Sequence, residues 1–144
     1  MASVDAATIE VTSNLDNGTD CTLRDALETV NSGNVSAGCI ATDGALGIND
    51  TVVFGAGVAG NTITLGGTEL LITADVSINP SGQNTVLTAN NASDVLLIDG
   101  SARVGIDNLT ITGGSATFIG AAGGGIRVQN YSSVNLINLS LIHI

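Results

Sequence analysis

Lysine and tryptophan are absent from this chain, and histidine occurs once. Three arginines (Arg24, Arg103, Arg127) face thirteen acids, for a formal net charge of −10. That sign excludes nucleic acid as a partner, because phosphate contacts need a basic surface. An anionic membrane surface is disfavoured for the same reason. The acidity fits cation binding or life outside the cytoplasm, and more simply the solubility of an elongated surface. Aromatic residues make up only 2% of the chain, so large rings do not fill its centre. Val, Ile, Leu and Ala must fill it instead, stacked repetitively. No apolar run approaches the ~20 residues of a membrane span, so no membrane insertion is expected in this segment. The opening "MASVDAATIEV" has neither the basic nor the apolar region of a signal peptide, so no signal peptide is read in this segment.

Cysteine is also scarce. Cys21 and Cys39 are the two, with no CxxC and no Cys/His cluster, so no zinc site is expected. Their spacing permits a disulfide closing a loop of about twenty residues, worth ~3 kcal/mol. The alternative is two buried thiols.

What the chain does contain is aliphatic and turn-forming. Its 144 residues are 44% apolar, enough for a real core, and nineteen glycines with many Asn, Ser and Thr supply frequent turns. That balance favours many short strands. A repeat runs through the second half. At an offset of 30, "VLLIDGSARVGIDNLTI" from Val95 falls on "GIRVQNYSSVNLINLSL" from Gly125. Leu96 then coincides with Ile126, Ile98 with Val128, Val104 with Val134, Ile106 with Leu136, Leu109 with Leu139 and Ile111 with Leu141. Each repeat holds three period-two apolar pairs, the mark of strands with one buried face. The bend between the second and third pairs is only "DN" or "IN", which suits the left-handed tolerance of Asn. Stacking places Asn108 over Asn138, where side-chain amides can bond from repeat to repeat. Looser strands are read in "ATIEVTS", "DTVVFG", "NTITLGG" and "ELLITADVSINPSGQNTVLTANN". Three short strands per repeat predict an all-β parallel β-helix of about three to four rungs. A sandwich or barrel competes, but does not explain the 30-residue register.

One stretch reads as a helix, "CTLRDALETVNSG" at 21–33. Thr22 is the expected N-cap with Asp25 three residues on, and Gly33 closes the C-terminus. Leu23, Ala26, Leu27 and Val30 share one face. About ten residues are too few for a stable isolated helix, so this face must pack on something. The expectation is an N-terminal cap over 1–49, with the helix at about 22–32, covering rungs over 50–144. Arg24 is then expected beside Asp20, Asp25 or Glu28, or on a strand carbonyl.

"DCTLRDALETVNS", the later Cys39, "NDTVVFG", "NTITLGGTELLIT" and "VSINPSG" resemble the N-terminal region of bacterial secreted right-handed β-helix proteins. That family carries a Cys-Ser-Leu-Arg-Glu-Ala type motif and includes polymorphic outer-membrane-like and choice-of-anchor proteins. Here Thr22 replaces Ser, Asp25 replaces Glu, and "INPSG" stands where an "IDGPG"-like turn is usual. The resemblance implies a right-handed helix, a bacterial extracellular or cell-surface location, and no firm activity.

Parallel β-helices also host pectate lyases and polygalacturonases, so an enzyme must be weighed. Asp94, Asp99 and Asp107 with Arg103 or Arg127 are the candidates. The repeat register sets Asp99 over Gln129 and Asp107 over Ile137, so no acidic row builds up. The Asn-Thr-Asp, Asp-Asp and Gly-His-Gly motifs are absent. "DNGTD" at 16–20 lacks the distal Glu of a calcium loop, and "GAAGGGI" at 120–126 lacks the Lys-Ser/Thr of a phosphate cradle. Thr62/Thr64 and Thr110/Thr112 form T-x-T pairs, but Ser140 and Ile142 do not continue them. Sequons at Asn91 and Asn130 are what an Asn/Ser/Thr-rich composition produces. No catalytic, cofactor or metal residue is expected. The terminal "LIHI", with His143 where the repeat predicts a glycine turn, reads as the cut end of a longer chain. The expected function is a non-catalytic secreted scaffold, structural or adhesive, with extracellular carbohydrate or a surface protein as partner beside the remaining rungs of its own chain. The alternative is the N-terminal part of a polysaccharide lyase or glycoside hydrolase with its catalytic rungs downstream.

Overall fold

The computed structural model describes residues 6–36, 38–47, 49–80, 82–115 and 124–142. In chain order these form β1 (Thr8–Val11), α1 (Leu23–Ser32), β2 (Ala41–Thr42), β3 (Asp50–Phe54), β4 (Thr62–Thr64), β5 (Leu70–Ile72) and β6 (Val76–Ile78). There follow β7 (Thr85–Thr88), β8 (Leu96–Ile98), β9 (Arg103–Asp107), β10 (Leu109–Thr112), β11 (Ile126–Val128), β12 (Ser133–Ile137) and β13 (Ser140–Ile142).

The strands assemble into three sheets. One has six strands in the order β12-β9-β6-β3-β1-β2, one has four as β13-β10-β7-β4, and one has three as β11-β8-β5. Every pairing is parallel except β1 with β2. Alternation along each strand decides which side chains go inside. Val76 and Ile78 are buried while Ser77 between them is not, and β8 repeats the pattern with Leu96 and Ile98. Register then aligns the inward residues into columns. Ile9, Val52, Ile78, Ile106 and Leu136 follow one another across the six-stranded sheet. Ile63, Leu87, Ile111 and Leu141 do so across the four-stranded one. The partners found at an offset of 30 are the hydrogen-bonded partners, with Leu96 opposite Ile126, Val104 opposite Val134 and Ile111 opposite Leu141.

The expected all-β right-handed parallel β-helix of three to four rungs is corrected. Among the described residues the architecture is mixed α/β, with three separate, mainly parallel sheets and one helix around a shared core. The reason lies in the helix and in the first sheet. Leu23, Ala26, Leu27 and Val30 belong to the same buried cluster as the strand residues from Ile9 to Ile111, so α1 is a layer of the core. The largest sheet also ends in an antiparallel pair, with Thr8 opposite Thr42 and Ile9 opposite Ala41.

The helix forms for the local reasons its sequence gives. Thr22 is extended at φ −83° and ψ 165°, and its hydroxyl accepts the Asp25 N–H at 3.0 Å. The Asp25 carboxylate in turn accepts the Thr22 N–H at 3.5 Å. Gly33 adopts φ 74°, a left-handed conformation glycine takes without strain, and its N–H reaches the Thr29 carbonyl.

Side chains of α1 also close the free edge of β5. Asn31 donates to the Leu71 carbonyl at 2.9 Å and accepts the Thr73 N–H at 2.8 Å, as a neighbouring strand would. Arg24 donates to the Thr68 and Glu69 carbonyls and makes a two-pronged contact with Asp16. Arg24 therefore does meet strand-side carbonyls, but its acidic partner is Asp16 rather than a helix neighbour. The turn after β1 carries Asp16 back over the helix, where its Oδ2 also accepts the Gly66 N–H. The Cys21–Cys39 disulfide, with 18 residues of separation, pins the helix start to the segment leading into β2.

Candidate functional site

Two surfaces are candidates. The first is the outward side of the four-stranded sheet. Because Ile63, Leu87 and Ile111 point inward, their neighbours point out. Register sets Thr64, Thr88 and Thr112 in one row and Thr62, Val86, Thr110 and Ser140 in the next. Adjacent members of a row lie one strand spacing apart, ~4.8 Å. The Thr110 hydroxyl donates to Asn84 Oδ1 at 2.9 Å, and the Thr88 hydroxyl accepts the Asn90 N–H at 3.1 Å. Those of Thr62, Thr64 and Thr112 take no partner among the described residues. Neither row contains a charged residue, in a chain of net charge −10. Thr88 escaped the sequence reading because 64, 88 and 112 are spaced by 24, whereas the copy at 142 follows by 30. A search at a fixed offset of 30 passes over it.

The second surface is a groove of about 240 Å³ on the outward side of β1 and β2. Thr8, Glu10 and Thr12 line it from β1 and the residue after it, Val53 from β3, and Gly38, Ile40 and Thr42 from the disulfide-linked segment. Sequence reasoning missed it, since a two-residue antiparallel strand carries no periodic signal.

The candidate catalytic acids are dispersed. Asp94 and Arg127 are brought together, with Arg127 Nε 3.1 Å from Asp94 Oδ2 and the carboxylate 6% exposed. That pair joins the segment before β8 to β11. Asp99 lies at the opposite end of β8, where its carboxylate accepts the Gly100 N–H at 2.7 Å, Gln129 at 3.0 Å and Asn130 at 2.6 Å. These bonds, Gln129 first, then Asn130 and the Gly100 N–H, hold its carboxyl below the ordinary value. Asp107 stands opposite Ile137, as its register requires, and meets the Asn138 amide at 3.4 Å. Arg103 contributes its backbone N–H to Asp75. Among the described residues, no group of three or more His, Cys, Asp or Glu could hold a metal ion. No described helix is long and apolar enough to cross a membrane.

Asn108 and Asn138 occupy equivalent bends at φ 53° and 51°. Their side chains do not meet amide to amide. Asn138 reaches Asp107, while the Asn108 carbonyl accepts the buried side chain of Asn79 at 3.0 Å. Thr22, Leu23 and Leu27 are buried with Cys21 and Cys39 at the helix–sheet seam. Sequence reasoning also passed over Asp50. Its fully buried carboxylate accepts the Ala7 N–H at 3.1 Å and the Gly47 N–H at 2.9 Å, closing the loop before β3. His143, Ile144 and residues 120–123 of the glycine-rich stretch lie outside the described residues. No protein-family model, curated protein or solved structure matches the chain.

Proposed function

We propose that the chain is a non-catalytic module of a secreted or surface-exposed bacterial protein, structural or adhesive in role, whose outward threonine face takes carbohydrate. The observation that carries this reading is the pair of uncharged rows led by Thr64, Thr88 and Thr112. Hydroxyls on a stiff sheet keep their spacing without ordering cost on binding. They can both donate to and accept from a ring of sugar hydroxyls. Absence of charge removes the desolvation cost that a carboxylate would add against a neutral polymer. A location outside the reducing cytoplasm is supported by the Cys21–Cys39 bond, since such bonds persist in oxidising compartments. The likeness of "CTLRDA" to the motif of secreted bacterial proteins supports the same location.

Affinity electrophoresis through gels containing neutral polysaccharides tests the reading. Retardation of the wild type by at least one neutral glucan or mannan is expected. The triple variant Thr64→Val, Thr88→Val, Thr112→Val keeps the β-branched shape and should run unretarded with an unchanged melting curve. Equal retardation of both proteins would remove the threonine face from the account.

A further inference from the structure

Glu10 sits in the middle of the groove on β1. Its register partner is Val53 on β3, and Ile40 continues the antiparallel register on its other side. The carboxylate is thus flanked by two aliphatic side chains, and Ile40 is 72% exposed. The carboxylate takes no hydrogen bond from any described residue, unlike those of Asp16, Asp50 and Asp99. Space is left for it at Gly55, where an added Cβ would come within 2.5 Å of Glu10 Oε1. Thr8, Thr12 and Thr42 rim the groove. The Thr12 hydroxyl accepts the Cys21 N–H at 3.2 Å, and the Thr42 hydroxyl is 3.3 Å from the Thr8 carbonyl.

The wall opposite is fixed in place. Gly38 takes φ +82°, and a side chain there would collide with the Thr19 carbonyl. Its neighbour Cys39 is tied to Cys21. The groove is therefore preformed, which lowers the ordering cost of binding.

We propose that this groove seats a lysine or arginine side chain of a basic protein segment. A long basic side chain has two chemistries, an aliphatic stem and a cationic head. Ile40 and Val53 suit the stem, and Glu10 suits the head, with threonine oxygens for the remaining N–H groups. Charge complementarity points the same way. Among the described residues no lysine or arginine lines the groove, and the chain as a whole carries −10 against any basic partner. A divalent cation fits less well, since one carboxylate falls short of the six to eight oxygens that Ca²⁺ gathers. The inference does not depend on the threonine face, which belongs to another sheet.

Titration calorimetry of the full chain with a hexalysine peptide at low salt is the test. Glu10→Gln should weaken binding at least tenfold, and Ile40→Ser about threefold, with melting curves unchanged. Glu28→Gln removes the same charge from an exposed helix position and should change affinity less than twofold. Equal losses for Glu10→Gln and Glu28→Gln would mean bulk charge attraction alone and would overturn the proposal. So would the absence of hexalysine binding. Binding of a neutral oligosaccharide that survives Glu10→Gln but fails in Ile40→Ser would assign the groove to carbohydrate and overturn it as well.

Discussion

Asp99 shows how one half-buried side chain can join two levels of the molecule. Its turn, Asp99–Ala102, and the following one, Gln129–Ser132, each carry two consecutive left-handed residues: Gly100 with Ser101, and Asn130 with Tyr131. The carboxylate takes one N–H within its own turn and two amides from the next. Those bonds favour the ionised form, so the folded-state value is depressed. A depressed carboxyl contributes stability above its unfolded-state value and loses it as pH falls through the folded-state one. Melting curves taken from about pH 5 down to about pH 2 should therefore fall more steeply for the wild type than for Asp99→Asn. Parallel curves would mean that the three bonds carry no linkage. The 30-residue repeat sets Asp99 over Gln129, so this contact is legible in the sequence. Asp50 was not, because nothing near it in sequence says that its partners are the N–H groups of Ala7 and Gly47.

At the scale of elements, α1 does more than cover apolar surface. Asn31 imitates a strand edge toward Leu71 and Thr73, and Arg24 closes the preceding carbonyls. An open edge would otherwise template pairing with another chain. Replacing Asn31 by Leu leaves the β5 edge to water and should cost about 1 kcal/mol in urea unfolding. Amide exchange gives the sharper readout, since the Thr73 N–H should lose protection while the Ile72 and Ile98 amides keep theirs. Unchanged protection at Thr73 would contradict the contact. The limits of α1 could be read from Thr22, Asp25 and Gly33, because caps are local chemistry. Its partners could not, since Asp16 is 8 residues away from Arg24, and Leu71 and Thr73 are 40 and 42 away from Asn31. Treating the helix as an appendage to an all-β stack was the same failure on a larger scale. Periodicity shows which face is apolar, not how fully it merges with the strand core.

Over the whole molecule, the inward columns set the energetics. Ile106 and Leu136 are neighbours in one column, yet Ile106 is 1% exposed and Leu136 is 40% exposed. Ile106→Ala should therefore cost about 2–5 kcal/mol, the range for a large side chain removed from a packed core. Leu136→Ala should cost on the order of 1 kcal/mol, since it surrenders only part of a burial. Chemical denaturation of the two variants measures the difference, and equal costs would mean that depth of burial along the column does not set the energetics. The second half of this pattern was plain in sequence, where Leu96 to Ile111 repeat as Ile126 to Leu141. The first half was blurred by turns of unequal length, which move Thr64, Thr88 and Thr112 to a spacing of 24 while keeping them in one row. The groove around Glu10 needs β2 to return antiparallel beside β1, and two residues of strand give no pattern from which to foresee that.

The threonine face exists only if that register is right, and a cross-link tests it directly. In parallel strands, residues directly opposite lie ~4.8 Å apart, within the 4.4–6.8 Å that a disulfide spans between Cα atoms. A shift of two residues takes the separation to about 8 Å, beyond reach. The double variant Thr64→Cys, Thr88→Cys is expected to oxidise to an internal cross-link, seen by peptide mapping beside the native Cys21–Cys39 bond. The shifted pair Thr62→Cys, Thr88→Cys should stay reduced. Cross-linking of the shifted pair, with the in-register pair left free, would contradict the register and the face built on it.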